Sequence, residues 1–309
     1  MNVAALPERE LGRRLRSSGL RVRVGPIVAR IRSPFRVVES ALRLHYAADA
    51  LAPDGDFVDF DVSVDAPIGV RRYVRPQAVF RFEGREPFKP LPASQAFPLL
   101  EWGLNWCISA HCHQYLIVHA AVVERNDRAM LMPAPPGSGK STLCAALVAR
   151  GFRLLSDELA LIDIATGRLV PLPRPISLKN ASIGIIESFW KDGTIGAVVD
   201  DTVKGAVAHA SAPPDSVTRS DEHASPAFVV VPRYRADSEI TLEPLSRAAG
   251  FMQLADNAFN YSLHGRAGFD ALARLIDSST CFAFTYGGTL DDAVRTLEAL
   301  YEMKHGGDA

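Results

Sequence analysis

The chain contains no apolar run near the ~20 residues a membrane-spanning helix requires, and no apolar stretch leading to a small-residue cleavage site. It has no charge excess either. Its 34 Lys plus Arg stand against 35 Asp plus Glu, which leaves no field to draw the whole chain to DNA, RNA or an anionic membrane. The four cysteines, Cys107, Cys112, Cys144 and Cys281, are scattered through apolar surroundings, unlike the dense spacing of a secreted disulfide scaffold. There is no internal repeat and no heptad array. These absences predict a soluble, unprocessed, cytoplasmic protein with reduced thiols, acting on neither nucleic acid nor membrane.

What the sequence does have is 48% hydrophobic content over 309 residues, enough for a sizeable core and two domains. Residues 1–95 read as a small α+β region, with strands at Val22 to Val28, Phe35 to Val38, Val58 to Val64 and Ala78 to Phe82 separated by turns such as Pro53-Asp54-Gly55-Asp56. From Ala96 to His111 the residues Phe97, Leu100, Leu104 and Ile108 recur at helical spacing. That predicts a core-facing helix leading into a second domain over residues 96–309. Cys107, His111, Cys112 and His113 near its end include metal-ligand types, but their spacing matches no common zinc pattern, so a buried helix end is expected.

The second domain opens with strand Tyr115 to Val123, a polar turn at Glu124 to Arg128, and strand Ala129 to Met132. Helix Ser141 to Arg150 follows and stops at Gly151. Next come strand Phe152 to Leu155 and a second hairpin, Leu159 to Ile164 with Leu169 to Leu172, where an ordinary doubly wound sheet would place a long helix. Residues 200–226, poor in apolar side chains, predict a long mobile loop of the kind that forms lids. After strand Phe228 to Val231, the pieces Arg247 to Asn257, Gly268 to Asp277, Cys281 to Tyr286 and Leu290 to Met303 read helix, helix, strand, helix.

Between the first hairpin and its helix lies Ala134-Pro135-Pro136-Gly137-Ser138-Gly139-Lys140-Ser141-Thr142. A G-K-[ST] run placed between a strand and a helix predicts a phosphate loop. The glycines let successive backbone N–H groups close on phosphate oxygens, the helix N-terminus adds partial positive charge, and Lys140 reaches the outer phosphates. Ser141 supplies a hard oxygen for Mg²⁺, with Thr142 a further hydroxyl in the first turn. The expected ligand is ATP with Mg²⁺, held by residues 135–142. Ala134 stands where the usual pattern begins with glycine, so the loop must start in a conformation that tolerates a Cβ. Asp157 and Glu158 end the next strand, so that one carboxylate can sit beside Mg²⁺ and the other face an incoming hydroxyl. Arg174, Lys179 and Asn180 are secondary candidates for neutralising a moving phosphoryl group, and Lys204 and His209 for closing over the site from the long loop.

Taken together, His119, Gly137 to Ser141, Arg150-Gly151 and Asp157-Glu158 resemble, in order and spacing, the catalytic domain of the HPr kinase/phosphorylase family. The resemblance is to its HPr-kinase-related relatives beside peptide-handling systems, and it covers roughly His119 to Lys204. It implies an α/β phosphate-loop domain with a mixed sheet, related to phosphoenolpyruvate carboxykinase, and a kinase that phosphorylates a protein serine. By resemblance, His119 and the acidic pair surround the transferred phosphate, with Asp157 or Glu158 working with the metal or as base. The family commonly shows Asp-Asp where this chain has Asp157-Glu158, and a motif with glutamate and arginine where it has Ile176 to Asn180. These departures turn expectation from HPr toward a peptide, a small carrier protein or a peptide-chaperone partner. The resemblance also implies homo-oligomers and phosphate removal by inorganic phosphate. Competing readings are a nucleotide-gated module that holds a peptide without modifying it, and a phosphate-loop kinase of a small metabolite.

Overall fold

The computed structural model describes residues 1–302; Met303, expected to end the last helix, lies outside them. The protein is α/β, with mixed sheets and helices, in two compact units. The first comprises residues 1–113, 172–183 and 193–222, and the second residues 114–171, 184–192 and 223 onward. The units therefore interleave in sequence rather than meeting at one cut after residue 95.

The chain begins with helix α1 (Glu8–Arg16), whose Leu11 and Leu15 are buried on one side while Glu10 pairs with Arg13 and Arg14 on the other. The single strand expected over Val22 to Val28 is a hairpin instead: β1 (Leu20–Val24) and β2 (Ile27–Arg32) are antiparallel and turn at Gly25, φ 55°. The strand expected at Phe35 to Val38 is corrected to the first turn of helix α2 (Arg36–His45), because Val38 and Leu42 sit four apart and bury one helical face. Strands β3 (Ala50–Leu51), β4 (Phe60–Asp65), β5 (Gln77–Phe82) and β6 (Leu91–Pro92) complete a sheet ordered β3-β1-β2-β4-β5-β6. Helix α3 (Ala96–His111) belongs to this first unit, with Phe97, Leu100, Leu104 and Ile108 all buried. Cys107 and Cys112 are buried in apolar surroundings, which pushes both thiols up to about 12, while His111 packs its ring near Phe82 and Trp106.

The second unit starts with β7 (Tyr115–Arg125) and β8 (Arg128–Pro133), joined through Asn126 and Asp127, both left-handed at φ 57° and 59°. Glu124 Oε1 accepts the Asp127 N–H at 2.6 Å and secures the turn. Helix α4 (Lys140–Ala149) follows, and its end is closed by two bonds, Gly151 N–H to Val148 O at 2.9 Å and Phe152 N–H to Leu147 O at 3.2 Å, with Gly151 at φ 88°. Strands β9 (Arg153–Ser156) and β10 (Leu159–Asp163) both run antiparallel to β7, and β11 (Leu169–Val170) returns along β10 as the second hairpin.

The chain then supplies the first unit with β12 (Ile176–Lys179) and crosses along helix α5 (Ala181–Phe189) before β13 (Val199–Thr202), β14 (Gly205–Ala210) and the short helix α6 (Pro214–Thr218). The long loop expected over residues 200–226 is corrected here. It is largely ordered secondary structure, with β14 paired to both β12 and β13. The alternation in Gly-Ala-Val-Ala-His-Ala carries so little apolar bulk that its strand periodicity was masked, yet Val207, Ala208 and Ala210 are fully buried.

The second unit resumes with β15 (Ser225–Tyr234), β16 (Thr241–Pro244), helices α7 (Arg247–Asp256) and α8 (Tyr261–Asp277), β17 (Thr280–Tyr286) and α9 (Leu290–Glu302). Its sheet is ordered β11-β10-β7-β8-β15-β17-β16, with β9 also on β7. The core β8, β15 and β17 are parallel, and Phe228-Val229-Val230 and the buried run of β8 show the continuous apolar character of strands covered on both faces. One face packs Leu116, Val118, Ala120 and Val122 of β7 with Leu272, Leu275 and Ile276 of α8. No described helix is long and apolar enough to cross a membrane.

Candidate functional site

Three parallel strands end together where the phosphate-loop sequence begins. The loop leaves β8 at Ala134, which is fully buried and has an ordinary negative φ, so the Cβ that replaces the usual glycine is accommodated. Gly137 and Gly139 are both left-handed, at φ 87° and 86°, the conformation that L side chains resist. A Cβ on Gly137 would meet nothing within 4 Å, so that glycine opens the loop outward. A Cβ on Gly139 would collide with Tyr286 Oη and approach Tyr234 Cβ at 2.9 Å. Gly139 is also the N-cap of α4, so the helix begins with its free N–H groups directed into the loop.

The ends of β15 and β17 hold this loop in place. Tyr234 N–H donates to Ser138 O at 2.9 Å, and Tyr286 Oη donates to Gly139 O at 2.9 Å. Burial, and secondarily Tyr234, pushes the Tyr286 phenol well up, so it stays protonated and remains a donor. Among the described residues, the buried Ser138 Oγ has no hydrogen-bond partner. Pro135, Pro136 and Gly137 are exposed, Ser141 and Thr142 half-buried, and Lys140 is buried with only 6% of its surface accessible.

The acidic pair is positioned by β7. Val122 lies opposite Ser156 and His119 opposite Leu159, so the bend at Asp157 and Glu158 is held between two segments that are both paired to β7. Because Leu116, Val118, Ala120 and Val122 face α8, the odd-numbered residues of β7, His119 among them, face the other side of the sheet. There His119 Nε2 stands 3.6 Å from Glu158 Oε2, both groups half-buried. Asp157 is buried, and its charge pushes the Cys144 thiol of α4 further up, beyond the dominant effect of burial, while the Lys140 ammonium pulls it down. Lys140 and Asp157 thus both act on Cys144, whose Sγ lies 4.0 Å from Ser156 O beside Asp157.

Compared with known proteins, the chain matches no family model and no curated sequence.

Residues that sequence reasoning passed over frame this cluster. The segment at residues 257–260 is hydrogen-bonded onto β7: His119 N–H donates to Asn257 O at 2.8 Å, Phe259 N–H to Ile117 O at 2.9 Å, and the Asn260 side chain both accepts from Ile117 N–H at 2.9 Å and donates to Tyr115 O at 2.8 Å. Phe259 is thereby fixed, 53% exposed, with its ring centroid 6.1 Å from that of His119. No local pattern marks Phe259. Tyr234 and Tyr286 had a weak signal, since each ends a predicted or nearly predicted strand of the parallel core.

The remaining candidates belong to the first unit. Arg174 is buried and committed: its guanidinium donates to Glu101 Oε2 at 2.6 Å, to Glu101 O at 2.8 Å and to Asn105 Oδ1 at 2.5 Å. The expected role in neutralising a phosphoryl group gives way to that of a core ion pair, completed by Tyr46 Oη donating to Glu101 Oε1 at 2.6 Å. Asn180 is left-handed at φ 51° and its side chain bonds Ala206 N–H at 3.1 Å and Lys204 O at 3.3 Å, fastening the start of β14. The backbone N–H of Lys179 donates to Ser182 Oγ at 2.7 Å. Lys204 sets its ammonium 4.9 Å from the Trp102 ring centre, and His209 is buried against Phe97, ring centroids 5.1 Å apart. His209 thus lies in a strand rather than a lid.

Proposed function

We propose that this protein is an ATP-dependent kinase that transfers the γ-phosphoryl group to a serine hydroxyl of a protein or peptide, with a phosphate-loop domain of the HPr-kinase-like type. The observation that carries the reading is the conjunction of a left-handed Gly137/Gly139 loop at the N-terminus of α4 with the His119–Glu158 pair and buried Asp157. The loop suits a phosphate chain on two counts. Gly137 opens on free space, and Ser138 Oγ is a buried hydroxyl lacking a partner among the described residues.

In this reading the α4 N–H groups and Lys140 would hold the phosphates, while Ser141 and Asp157 would hold Mg²⁺ through hard oxygens. When bound, Mg²⁺ neutralises charge on the phosphate oxygens. Asp157, buried near Lys140, suits the metal side; Glu158, half-exposed and steadied by His119, suits the acceptor side. Glu158 takes the proton from the serine hydroxyl as the serine oxygen bonds to the γ-phosphorus and the bond to the ADP oxygen breaks. His119 keeps the Glu158 carboxylate oriented. Phe259 gives the acceptor an apolar wall.

The test incubates full-length protein with Mg²⁺ and γ-labelled ATP and a serine-containing peptide library, beside Lys140→Ala and Glu158→Gln. Label on a peptide serine that disappears in both variants supports the kinase. Tight ATP binding lost in Lys140→Ala, with no peptide labelled, transfers the reading to a nucleotide-gated peptide module.

A further inference from the structure

The connection between β4 and β5 exposes an unusual combination of side chains. Residues 66–82 contain four arginines and no Asp or Glu. On strands of the same sheet Arg23, Arg30, Arg32 and Arg81 each hold a carboxylate. Arg71 and Arg75 hold none among the described residues, and both are exposed. Instead they line a concavity of about 430 Å³ together with Gln77 and Ser94, walled by Pro76 and Pro92.

Directly beside it, Ile68 is 99% exposed, Tyr73 79% and Val70 71%. These side chains, with Arg72, line a second hollow of about 380 Å³, and the Arg72 guanidinium lies 5.9 Å from the Tyr73 ring centre. Apolar side chains this exposed and this clustered mark a contact surface. The neighbouring unpaired guanidiniums state the charge that surface would receive.

We propose that the β4–β5 connection is a docking site for an acidic polypeptide segment that carries apolar side chains. Its carboxylates would enter the concavity between Arg71 and Arg75, where Ser94 and Gln77 offer further hydrogen bonds, and its apolar side chains would cover Ile68, Val70 and Tyr73. A concavity of this size with Arg71 and Arg75 in its lining fits discrete side chains better than it fits a flat lipid surface, for which no hollow is needed. The site lies wholly in the first unit and does not depend on the kinase reading.

The experiment measures fluorescence anisotropy of full-length protein, without nucleotide, against a labelled peptide alternating Glu or Asp with Leu or Phe. Two controls replace its acids by Gln and Asn, or its apolar residues by Ser. Vesicles of phosphatidylserine and phosphatidylcholine form a further arm. The mixed peptide is expected to bind at least about tenfold more tightly than either control, to weaken with salt, and to weaken about tenfold or more in Arg71→Glu/Arg75→Glu and in Ile68→Ser/Tyr73→Ser. All four positions are exposed, so the thermal transition should not move. Equal binding of all peptides, binding unchanged in the arginine variant, binding to vesicles but not peptide, or arginine-dependent self-association without peptide binding would each overturn the proposal.

Discussion

His119 Nε2 and Glu158 Oε2 stand 3.6 Å apart, brought together across the two strands that flank the interruption between β9 and β10. The pair links a residue on β7 to the turn that follows α4 and β9. If Glu158 is the base, Glu158→Gln should lower phosphotransfer by about 10² to 10⁴ while leaving ATP affinity within a few-fold. His119→Ala should lower it less. Single-turnover labelling set against nucleotide titration separates the two effects, and an equal loss of ATP affinity would remove Glu158 from the acceptor side.

Phe259 is exposed beside His119 yet locked by the bonds of residues 257–260 onto β7. Phe259→Ala is expected to raise KM for a peptide acceptor severalfold, with kcat and ATP affinity nearly unchanged. A matching loss in kcat alone would argue against an acceptor wall.

Gly139 cannot carry a side chain where it stands. A Cβ would strike Tyr286 Oη, and the left-handed φ of 86° is strained for any L residue. Gly139→Ala should cost about 1–3 kcal/mol of stability and weaken nucleotide binding. Gly139→Ala/Tyr286→Phe would relieve the collision but not the backbone strain, so chemical denaturation should show only partial recovery.

The Arg174–Glu101 pair is buried, so removing one partner strands the other charge. Arg174→Met should destabilise the protein by about 3–5 kcal/mol. Glu101→Leu/Arg174→Met should recover much of that, because two buried charges leave together, although the Tyr46 hydroxyl then loses its acceptor. Thermal unfolding of the single and double variants checks this. Recovery below about 1 kcal/mol would mean that hydrogen bonds to Asn105 and the Glu101 carbonyl dominate.

His45 is buried between Phe97 and His209 and accepts or donates one hydrogen bond with Ser211 Oγ at 2.8 Å. Burial, and secondarily His209, pulls it down to about 4 from 6.5, against the opposing pull of Glu101. A depressed folded value means that the unfolded chain binds the proton more readily between those two values. Stability from neutral His45 is thus complete above pH 6.5 and falls as pH drops toward 4, by at most about 3 kcal/mol. Asp49, which burial and then Glu101 push upward, works in the opposite direction over this range. The difference between wild type and His45→Phe in denaturation at pH 7, 5.5 and 4.5 isolates the histidine: the gap should narrow with acid.

The glycine-rich loop and its helix could be read because their requirements are local. Left-handed φ at Gly137 and Gly139, a helix starting at Lys140 and a stop at Gly151 each depend on residues within one turn of each other. The helical stripe of Phe97, Leu100, Leu104 and Ile108 was legible for the same reason, since burial of one face imposes its period. Residues 35–38 misled because four residues do not distinguish a β-rich run from the first turn of α2. Residues 200–226 misled because alanine fills strand positions without an apolar signature.

Arg174 shows the limit for single residues. A basic residue after a proline-rich stretch reads as exposed, and only the packing of α3 against it supplies Glu101 and Asn105. By itself the sequence determined the glycine-rich loop, its helix and the presence of an acidic pair after the following strand, because each is written in contiguous residues. The tertiary structure alone decided that His119 meets Glu158, that Tyr234 and Tyr286 brace the loop, and that Phe259 stands beside His119. Those relations are set by strand register between segments far apart in the chain, which no local pattern encodes.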